Sequence, residues 1–156
     1  MSKIQAYFDD YASHHRHPMN KVTHYIGIPM ILFSLLGMLS QVVFYQPSLE
    51  TMPAFPLTLF RGDLGVLLWA AASAWYLSLD WKIGLPFSLL AAGFYFLALP
   101  VALPIHLALF VVGWIFQGIG HAKYEKTRPA FMDNVLHLLI GPLWIFAKAV
   151  GYLKKP

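Results

Sequence analysis

Two long stretches without Asp, Glu, Lys or Arg constrain the fold of this chain more than any other feature. One extends from Val22 to Leu49 and the other from Ile83 to Ala122. About 20 apolar residues cross a bilayer as a helix, whose backbone groups are hydrogen-bonded internally. Only 12% of the 156 residues are charged, whereas soluble domains carry about 25%. The sequence therefore predicts an all-α, multi-pass membrane protein.

The apolar stretches predict a bundle of about four transmembrane helices within residues 18–122. The first span is expected to begin at Pro18, because proline suits the first position of a helix. Leu64–Leu79 supplies a second, short span, and Ile83–Ala122 is long enough for two spans joined by a proline-rich turn. Three prolines in Gln46–Phe60 favour a loop there.

The N-terminal part, residues 2–17, is expected to lie outside the spans. It combines an amphipathic helix with a histidine-rich entry to the first span. Ile4, Tyr7, Phe8 and Tyr11 share one face of this helix, because they recur at intervals of three and four residues. The helix is too short to cross a bilayer. We therefore expect it to lie in the interface, with its aromatic side chains dipped into the membrane.

The C-terminal part is divided by its charge. Residues 123–134 are rich in charge and are expected to form a basic cytoplasmic loop. Residues 135–156 are mainly apolar but contain Gly141-Pro142, where proline removes a helical hydrogen bond. We expect a broken interfacial or re-entrant segment here, with a fifth span as the alternative. All parts belong to one integral-membrane domain, residues 1–156.

The distribution of basic residues predicts the orientation of the spans. With four spans and a cytoplasmic N-terminus, every Lys and Arg except Arg61 lies on the cytoplasmic side. A fifth span would move Lys154 and Lys155 to the other side. The bias favours four spans, in a bacterial inner membrane or, in a eukaryote, the endoplasmic reticulum. Because the basic residues flank apolar runs, the net charge of +4 does not indicate a nucleic-acid partner.

Most of the histidines collect at the predicted cytoplasmic ends of the spans. Four of the seven stand at the entry to the first span, namely His14, His15, His17 and His24. His121 ends the last span, and His137 begins the final segment. His106 falls at the opposite end, where a role in the core or the interface is the more economical interpretation. Imidazole is the commonest metal-ligand side chain. His15, His24 and His121 are therefore candidate metal ligands, with His14 and His17 on the solvent side.

Polar residues at helical spacing accompany these histidines. Asn20 and His24 are four residues apart, as are Gln117, His121 and Glu125, so each set shares one face of a helix. Polar groups at membrane depth are costly and usually face a cavity or a partner. A purely structural interpretation would give Asn20 and His24 a helix-packing role and make His121 and Glu125 a local pair.

The residues alone leave several functions open. The absence of cysteine excludes disulfides, thiolate zinc sites and cysteine nucleophiles. A zinc-dependent membrane hydrolase could use the same histidines with Glu125 as its base, although the chain has no H-E-x-x-H motif. A transporter or proton relay belongs to a second class of function, and a non-catalytic membrane scaffold belongs to a third. Transport is disfavoured because few polar residues lie within the spans.

Two segments resemble the signatures of a known family. His15–Pro29 resembles the pattern H-x-N-P-x-N-x-x-x-H-x-x-G-x-P, and Gln117–Ala130 resembles a second signature, followed by Gly141-Pro142-Leu143. The resemblance is to the fungal 2-hydroxy-fatty-acid (2-hydroxypalmitate) dioxygenase family, small multi-pass membrane proteins with uncharacterised bacterial members. The chain departs from the pattern at His17, where Asn is expected, and at His137. These departures weaken both as candidate ligands.

The resemblance implies an Fe(II)-dependent dioxygenase whose partners are a long-chain 2-hydroxy fatty acid and O2. It would produce the acid one carbon shorter, in the manner of α-oxidation. Non-haem iron takes a few histidine or carboxylate ligands on one side and leaves other positions open. His15, His24 and His121 are the ligands that this interpretation favours.

The remaining site residues are assigned by the chemistry of that reaction. Asn20, Gln117 and Glu125 are expected to orient the histidines, with direct metal ligation as an alternative for Glu125. Lys21, Lys123 or Arg128 could attract the substrate carboxylate, and Arg128 is favoured because its guanidinium suits a bidentate contact. The alternative for Arg128 is a lipid-headgroup anchor.

Overall fold

The computed structural model describes residues 3–46 and 61–153. Most of the predicted Gln46–Phe60 loop and the basic tail residues Lys154 and Lys155 lie outside the described residues. The described residues form six α-helices, which are α1 (Lys3–Ser13), α2 (Pro18–Leu39), α3 (Leu64–Leu79), α4 (Trp81–Ala98), α5 (Leu103–Ile119) and α6 (His137–Ala149). A π-helical turn (Gly120–Glu125) continues α5, and a 3-10 turn (Ala130–Met132) precedes α6. Two short strands, β1 (Val43–Tyr45) and β2 (Gly62–Asp63), pair antiparallel.

Three of the helices are long and apolar enough to cross a membrane, namely α2, α4 and α5 with its π-helical continuation. Their outward faces are apolar as well, since Leu89, Leu97 and Val111 are more than half exposed. Exposed leucine and valine on long helices suit contact with lipid. The predicted all-α membrane bundle is confirmed. The number of four spans stays a prediction, because α3 has 16 residues.

Close packing of α2 against α5 brings the two histidine-bearing helices together. The two helices run antiparallel, with Gly27 opposite Gly113 near their middle. A β-carbon on Gly113 would lie 2.9 Å from the carbonyl oxygen of Gly27. At one end of the pair, a β-carbon on Gly120 would collide with the side chains of Asn20 and Thr23. Small residues let membrane helices approach closely, and here they place the start of α2 and the end of α5 in contact.

A buried polar network closes the opposite end of the bundle. Asp63 is fully buried, caps α3 by accepting from the Val66 amide at 2.9 Å, and accepts from Arg61 Nε at 2.9 Å. The hydroxyl of Tyr95 also donates to Asp63, at 2.5 Å. Several donors thus compensate the buried carboxylate. His106 lies near this end, buried against Gly37, with Nε2 at 3.1 Å from the carbonyl oxygen of Ala98. This buried position agrees with the prediction that His106 has a role in the core or the interface.

The amphipathic face of α1 packs against protein rather than lipid. Ile4, Phe8 and Tyr11 are almost fully buried in a cluster with Ile140 and Leu143 of α6. The helix was predicted correctly, but the prediction that its aromatic face dips into the membrane was wrong. The physical reason is that α6 offers a second apolar face, and the two faces remove each other from solvent.

The predicted break at Gly141-Pro142 does not occur. Helix α6 runs from His137 to Ala149 with Pro142 as its sixth residue. At this position proline leaves only the Leu138 carbonyl without its helical donor, so the interruption is confined to the first turns. A β-carbon on Gly141 would lie 3.1 Å from the Tyr11 hydroxyl. Gly141 therefore allows α1 to approach α6.

Candidate metal centre

Three histidines from different parts of the chain converge in the interior. His15 lies between α1 and α2, His24 lies in the second turn of α2, and His121 lies in the π-helical turn after α5. All three are buried, and one ring nitrogen of each lies within 4.8 Å of the others. The structure therefore brings together the three histidines that were predicted as metal ligands.

Hydrogen bonds to the backbone fix the orientation of His15 and His24. Nδ1 of His15 lies 2.7 Å from the carbonyl oxygen of Tyr11, and Nδ1 of His24 lies 2.8 Å from that of Asn20. A carbonyl can only accept, so both Nδ1 atoms carry the hydrogen and both Nε2 atoms present lone pairs. The two Nε2 atoms lie 3.1 Å apart. Two lone pairs at this distance repel unless a cation lies between them, so the donor set fits a metal ion.

The surroundings of His15 keep its imidazole neutral. Burial lowers the pKa of His15 to about 4, even though the bond to the Tyr11 carbonyl favours the charged form. The ring also stacks on the Tyr11 ring, with 4.0 Å between the centroids. A metal ligand must be the neutral form of imidazole. His15 is therefore ready to bind a metal ion at neutral pH.

His121 is presented by the π-helical turn. Lys126 donates to the His121 carbonyl at 2.8 Å, which is the i→i+5 bond of a π-helix. Nδ1 of His121 is buried and has no hydrogen-bond partner among the described residues. Single π-turns in α-helices occur frequently at functional sites. The turn also corrects the prediction that Gln117, His121 and Glu125 share a regular helical face, since the wider turn rotates the residues beyond Gly120.

Glu125 binds the backbone at the start of α2 instead of pairing with His121. Its carboxylate accepts from the amides of Arg16 at 2.5 Å and His17 at 2.9 Å, and from Asn20 Nδ2 at 3.3 Å. Unpaired amides at a helix N-terminus favour an anion. Glu125 thereby attaches the segment that carries His15 to the turn that carries His121.

Asn20 and Gln117, which were expected to orient the histidines, lie beside them. Asn20 is fully buried, and its backbone carbonyl orients His24 while its side chain donates to Glu125. The Gln117 amide packs against Gly27. Gln117 Nε2 is buried without a hydrogen-bond partner in the described part of the chain. It therefore has donors available for a group that binds beside the histidines.

Arg128 is not part of this cluster. Its guanidinium forms an ion pair with Asp133 at 2.6 Å, and its side chain is 69% exposed. It does not line the cavity described below. Where the chain turns at Lys126 in a left-handed conformation, the residues that follow leave the helix axis. The predicted contact between Arg128 and the substrate carboxylate therefore has no support in the geometry.

A second cluster of polar side chains lies on the other side of Tyr11 and was not predicted from the sequence. It consists of Asp10, His14 and His137. His137 Nε2 lies 2.8 Å from Asp10 Oδ2, and the His14 and His137 rings are 5.3 Å apart. Asp10 and His137 are 127 residues apart in sequence, so no local spacing indicates their contact.

His17 lies on the solvent side as expected, where its Nδ1 accepts from the Met19 amide at 3.1 Å.

An apolar cavity borders the histidines and extends between the helices. Its volume is about 480 Å³, within the range of about 300–1,000 Å³ that is usual for small-molecule sites. His15, His24 and His121 line its polar end together with Gln117 and His137. Residues of α2, α3, α4 and α5 such as Leu36, Ala72, Phe87 and Phe110 line the rest. The arrangement can place an apolar chain inside the bundle with a polar head at the histidines.

Comparisons with known proteins identify the family. A family model described as "2-hydroxy-palmitic acid dioxygenase Mpo1-like" matches residues 1–153. The chain is 34% identical over 158 residues to the 2-hydroxy-palmitic acid dioxygenase MPO1 of Saccharomyces cerevisiae. The alignment covers 93% of this chain and 80% of the yeast protein. No solved structure matches the chain significantly. The resemblance seen in two sequence segments thus extends over nearly the whole length, and the chain belongs to the Mpo1-like family.

Proposed function

We propose that the protein is an Fe(II)-dependent dioxygenase that converts a long-chain 2-hydroxy fatty acid to the acid one carbon shorter. The observation that carries the proposal is the set of three inward-facing histidines at the polar end of an apolar cavity. Membership of the Mpo1-like family supports it. The reaction balances with one O2 per acid, since the C1–C2 bond breaks and the products are the shortened acid, CO2 and water. O2 takes four electrons from the substrate, so no further reductant is needed.

The residues divide into those that hold the metal and those that hold the histidines. His15, His24 and His121 would bind the iron, and bound iron supplies the redox chemistry that couples the acid to O2. The carbonyls of Tyr11 and Asn20 hold two of the rings in the required tautomer. Glu125 holds the two ligand-bearing segments together, which is a positioning role.

The cavity suits the substrate that the proposal requires. The acyl chain would lie among apolar side chains, where each buried methylene contributes about 0.8 kcal/mol at most. The membrane competes for the same methylenes, so chain length should grade the rate only gently. The polar head would lie at the histidines, where Gln117 Nε2 can donate to the carboxylate. The hydrophobic chain of a substrate that arrives from the bilayer would thus stay out of water throughout binding.

The geometry disfavours a zinc hydrolase. Such an enzyme needs a base that activates the metal-bound water, and Glu125 is the carboxylate nearest in sequence to a candidate ligand. Both of its oxygens accept hydrogen bonds from α2 and the residues before it. A carboxylate held in this way is a poor proton acceptor, because proton uptake would break these bonds.

The basic-residue distribution further supports a cytoplasmic position for the histidines within an integral membrane protein. In this proposal both chain termini lie in the cytoplasm. A reporter enzyme fused after Pro156 tests the orientation directly. Activity of a periplasmic or luminal reporter at that position would contradict it.

The activity is tested with iron-loaded, detergent-solubilised protein and a long-chain 2-hydroxy fatty acid. We expect mass spectrometry to detect the acid one carbon shorter in the presence of oxygen and not in its absence. The His24→Ala variant serves as the metal-site control and should give no product. If protein with demonstrably bound iron gives no shortened acid under oxygen, the proposed activity is wrong.

A further inference from the structure

We propose that His137 recognises the 2-hydroxyl group of the substrate by accepting its hydrogen bond at Nδ1. The inference rests on the proposed function, because it concerns the same cavity and the same class of acid. It adds a residue outside the three histidines and outside the two sequence signatures. Its role is to distinguish a 2-hydroxy acid from an unsubstituted fatty acid.

His137 lies beside the candidate metal centre. It is the first residue of α6 and is only 6% exposed. It lines the cavity together with His15, His24 and His121. Its ring lies edge-on to the Tyr11 ring, with 5.9 Å between the centroids, and Tyr11 in turn stacks on His15. His137 therefore flanks the candidate metal centre across a single aromatic ring.

The contact with Asp10 fixes the tautomer of His137. Nε2 of His137 lies 2.8 Å from Oδ2 of Asp10. A carboxylate can only accept a hydrogen bond, so Nε2 carries the hydrogen and a neutral ring presents a lone pair at Nδ1. Nδ1 is buried and has no hydrogen-bond partner within residues 3–46 and 61–153. Buried acceptors are nearly always paired in folded proteins, so this atom calls for a donor from outside those residues.

The proposed substrate has one group that can donate a hydrogen bond to this atom. An ionised carboxylate offers only acceptors, and an acyl chain offers neither donors nor acceptors. The 2-hydroxyl group is the single hydrogen-bond donor on such an acid. The unpaired acceptor of a residue that lines the cavity therefore matches the one group that separates 2-hydroxy acids from ordinary fatty acids.

The test measures binding rather than turnover. Purified protein is kept free of oxygen, so that no reaction occurs, and is titrated with a 2-hydroxy fatty acid and with the unsubstituted acid of equal length. The measured quantity is the ratio of the two dissociation constants. Loss of one hydrogen bond typically reduces affinity by about two- to tenfold. We expect His137→Leu to reduce the preference for the 2-hydroxy acid by this factor.

Two conservative variants keep the test informative if His137→Leu folds poorly. His137→Asn places an amide oxygen at the same number of bonds from the backbone as Nδ1, but it cannot reach Asp10 as Nε2 does. His137→Gln places an amide nitrogen at the level of Nε2, where it can donate to Asp10, but has no acceptor at the level of Nδ1. We expect His137→Asn to retain more of the preference than His137→Gln.

The outcomes separate this inference from the proposed function. A preference that is unchanged in His137→Gln and His137→Leu overturns the inference, even if the protein turns over the acid. A preference that depends on His137 supports the inference, even if no shortened acid is formed. Asp10, His14 and His137 lie close enough to hold a cation of their own. Metal analysis that finds a second equivalent of metal in the wild type, lost in His137→Gln, also overturns the inference.

Discussion

Nε2 of His15 and Nε2 of His24 lie 3.1 Å apart, and neither atom carries a hydrogen. Each Nδ1 is committed to a backbone carbonyl, so neither ring can turn its hydrogen towards the other without breaking a buried bond. The pair is thus arranged for a cation before any cation binds. The third histidine, His121, completes a donor set from three separate segments.

The first prediction concerns metal retention. We expect His15→Ala, His24→Ala and His121→Ala each to lower the metal affinity by more than the roughly 10–100-fold that is typical when an orienting partner is lost. The measurement is metal content by mass spectrometry on protein that elutes as a single folded species. His106→Gln is the control, because His106 lies at the opposite end of α5. The protein with this substitution should retain its metal. Equal loss of metal in His106→Gln would show that the metal is held elsewhere.

The second prediction concerns Glu125. We expect Glu125→Ala to lower the free energy of unfolding by about 0.5–2 kcal/mol, as for the loss of a helix cap. Metal affinity should fall about 10–100-fold without being abolished, because the histidines remain but lose their alignment. Asp133→Asn is the matched control in the same part of the chain, where an exposed ion pair contributes about 0–1 kcal/mol. Complete loss of metal in a folded Glu125→Ala protein would instead identify Glu125 as a ligand.

The third prediction compares two glycines of α5. A β-carbon on Gly113 would lie 2.7 Å from Ile31 Cγ1 and 2.9 Å from the Gly27 carbonyl oxygen, whereas one on Gly118 would meet nothing within 4 Å. We expect Gly113→Ala to lower the free energy of unfolding by about 1–3 kcal/mol through overpacking, and to weaken metal binding by separating α2 from α5. Gly118→Ala should leave both unchanged or raise the stability slightly. Thermal unfolding in detergent and metal content measure the difference, and equal behaviour of the two variants would contradict the packing.

The fourth prediction concerns acid stability at the turn between α3 and α4. Tyr152 donates to Asp80 Oδ2 at 2.5 Å, and this bond holds the pKa of Asp80 below its usual 3.8. A lowered folded-state pKa stabilises the fold above the unfolded-state value, and this stability is lost as the pH falls through the folded-state value. Tyr152→Phe should therefore lower the unfolding free energy by about 0.2–1 kcal/mol near pH 7, since the hydrogen bond is only partly buried and solvent screens it.

The check on this prediction is the pH dependence of thermal unfolding for the wild type and Tyr152→Phe. The difference in stability between the two proteins should be constant above about pH 5 and should shrink as the pH falls below the usual pKa of aspartate. Tyr45→Phe, at an exposed position in β1, is the control and should show no such dependence. A difference between wild type and Tyr152→Phe that grows towards acid pH would contradict the assigned direction.

The features that the sequence predicted are those that local patterns determine. Charge-free runs and prolines located α2, α3, α4 and α5, and four consecutive spans alternate in direction along the chain. Once α2 and α5 were placed antiparallel, His24 and His121 had to lie at the same end. His15 lies a few residues before α2, so it was close to the same place. The three candidate ligands could therefore be predicted without any knowledge of packing.

The features that the sequence did not predict depend on contacts between distant segments. The π-helical turn forms where Gly120 packs against Asn20 and Thr23, and helical spacing alone assumes a regular turn. Glu125 accepts from the Arg16 amide across 109 residues, so a local pair with His121 was the simpler expectation. The continuity of α6 through Pro142 is likewise supported by the packing of Gly141 against Tyr11.

The proposed dioxygenase activity is tested most directly by the molar ratio of O2 consumed to shortened acid formed. Protein loaded with Fe(II) without oxygen is mixed with a 2-hydroxy fatty acid and oxygenated buffer that contains no reductant. We expect the amount of O2 consumed to equal the amount of the acid one carbon shorter formed, and we expect neither O2 uptake nor product from zinc-loaded protein. Shortened acid from zinc-loaded protein, or no O2 uptake by protein that holds iron at the histidines, would contradict the proposed activity.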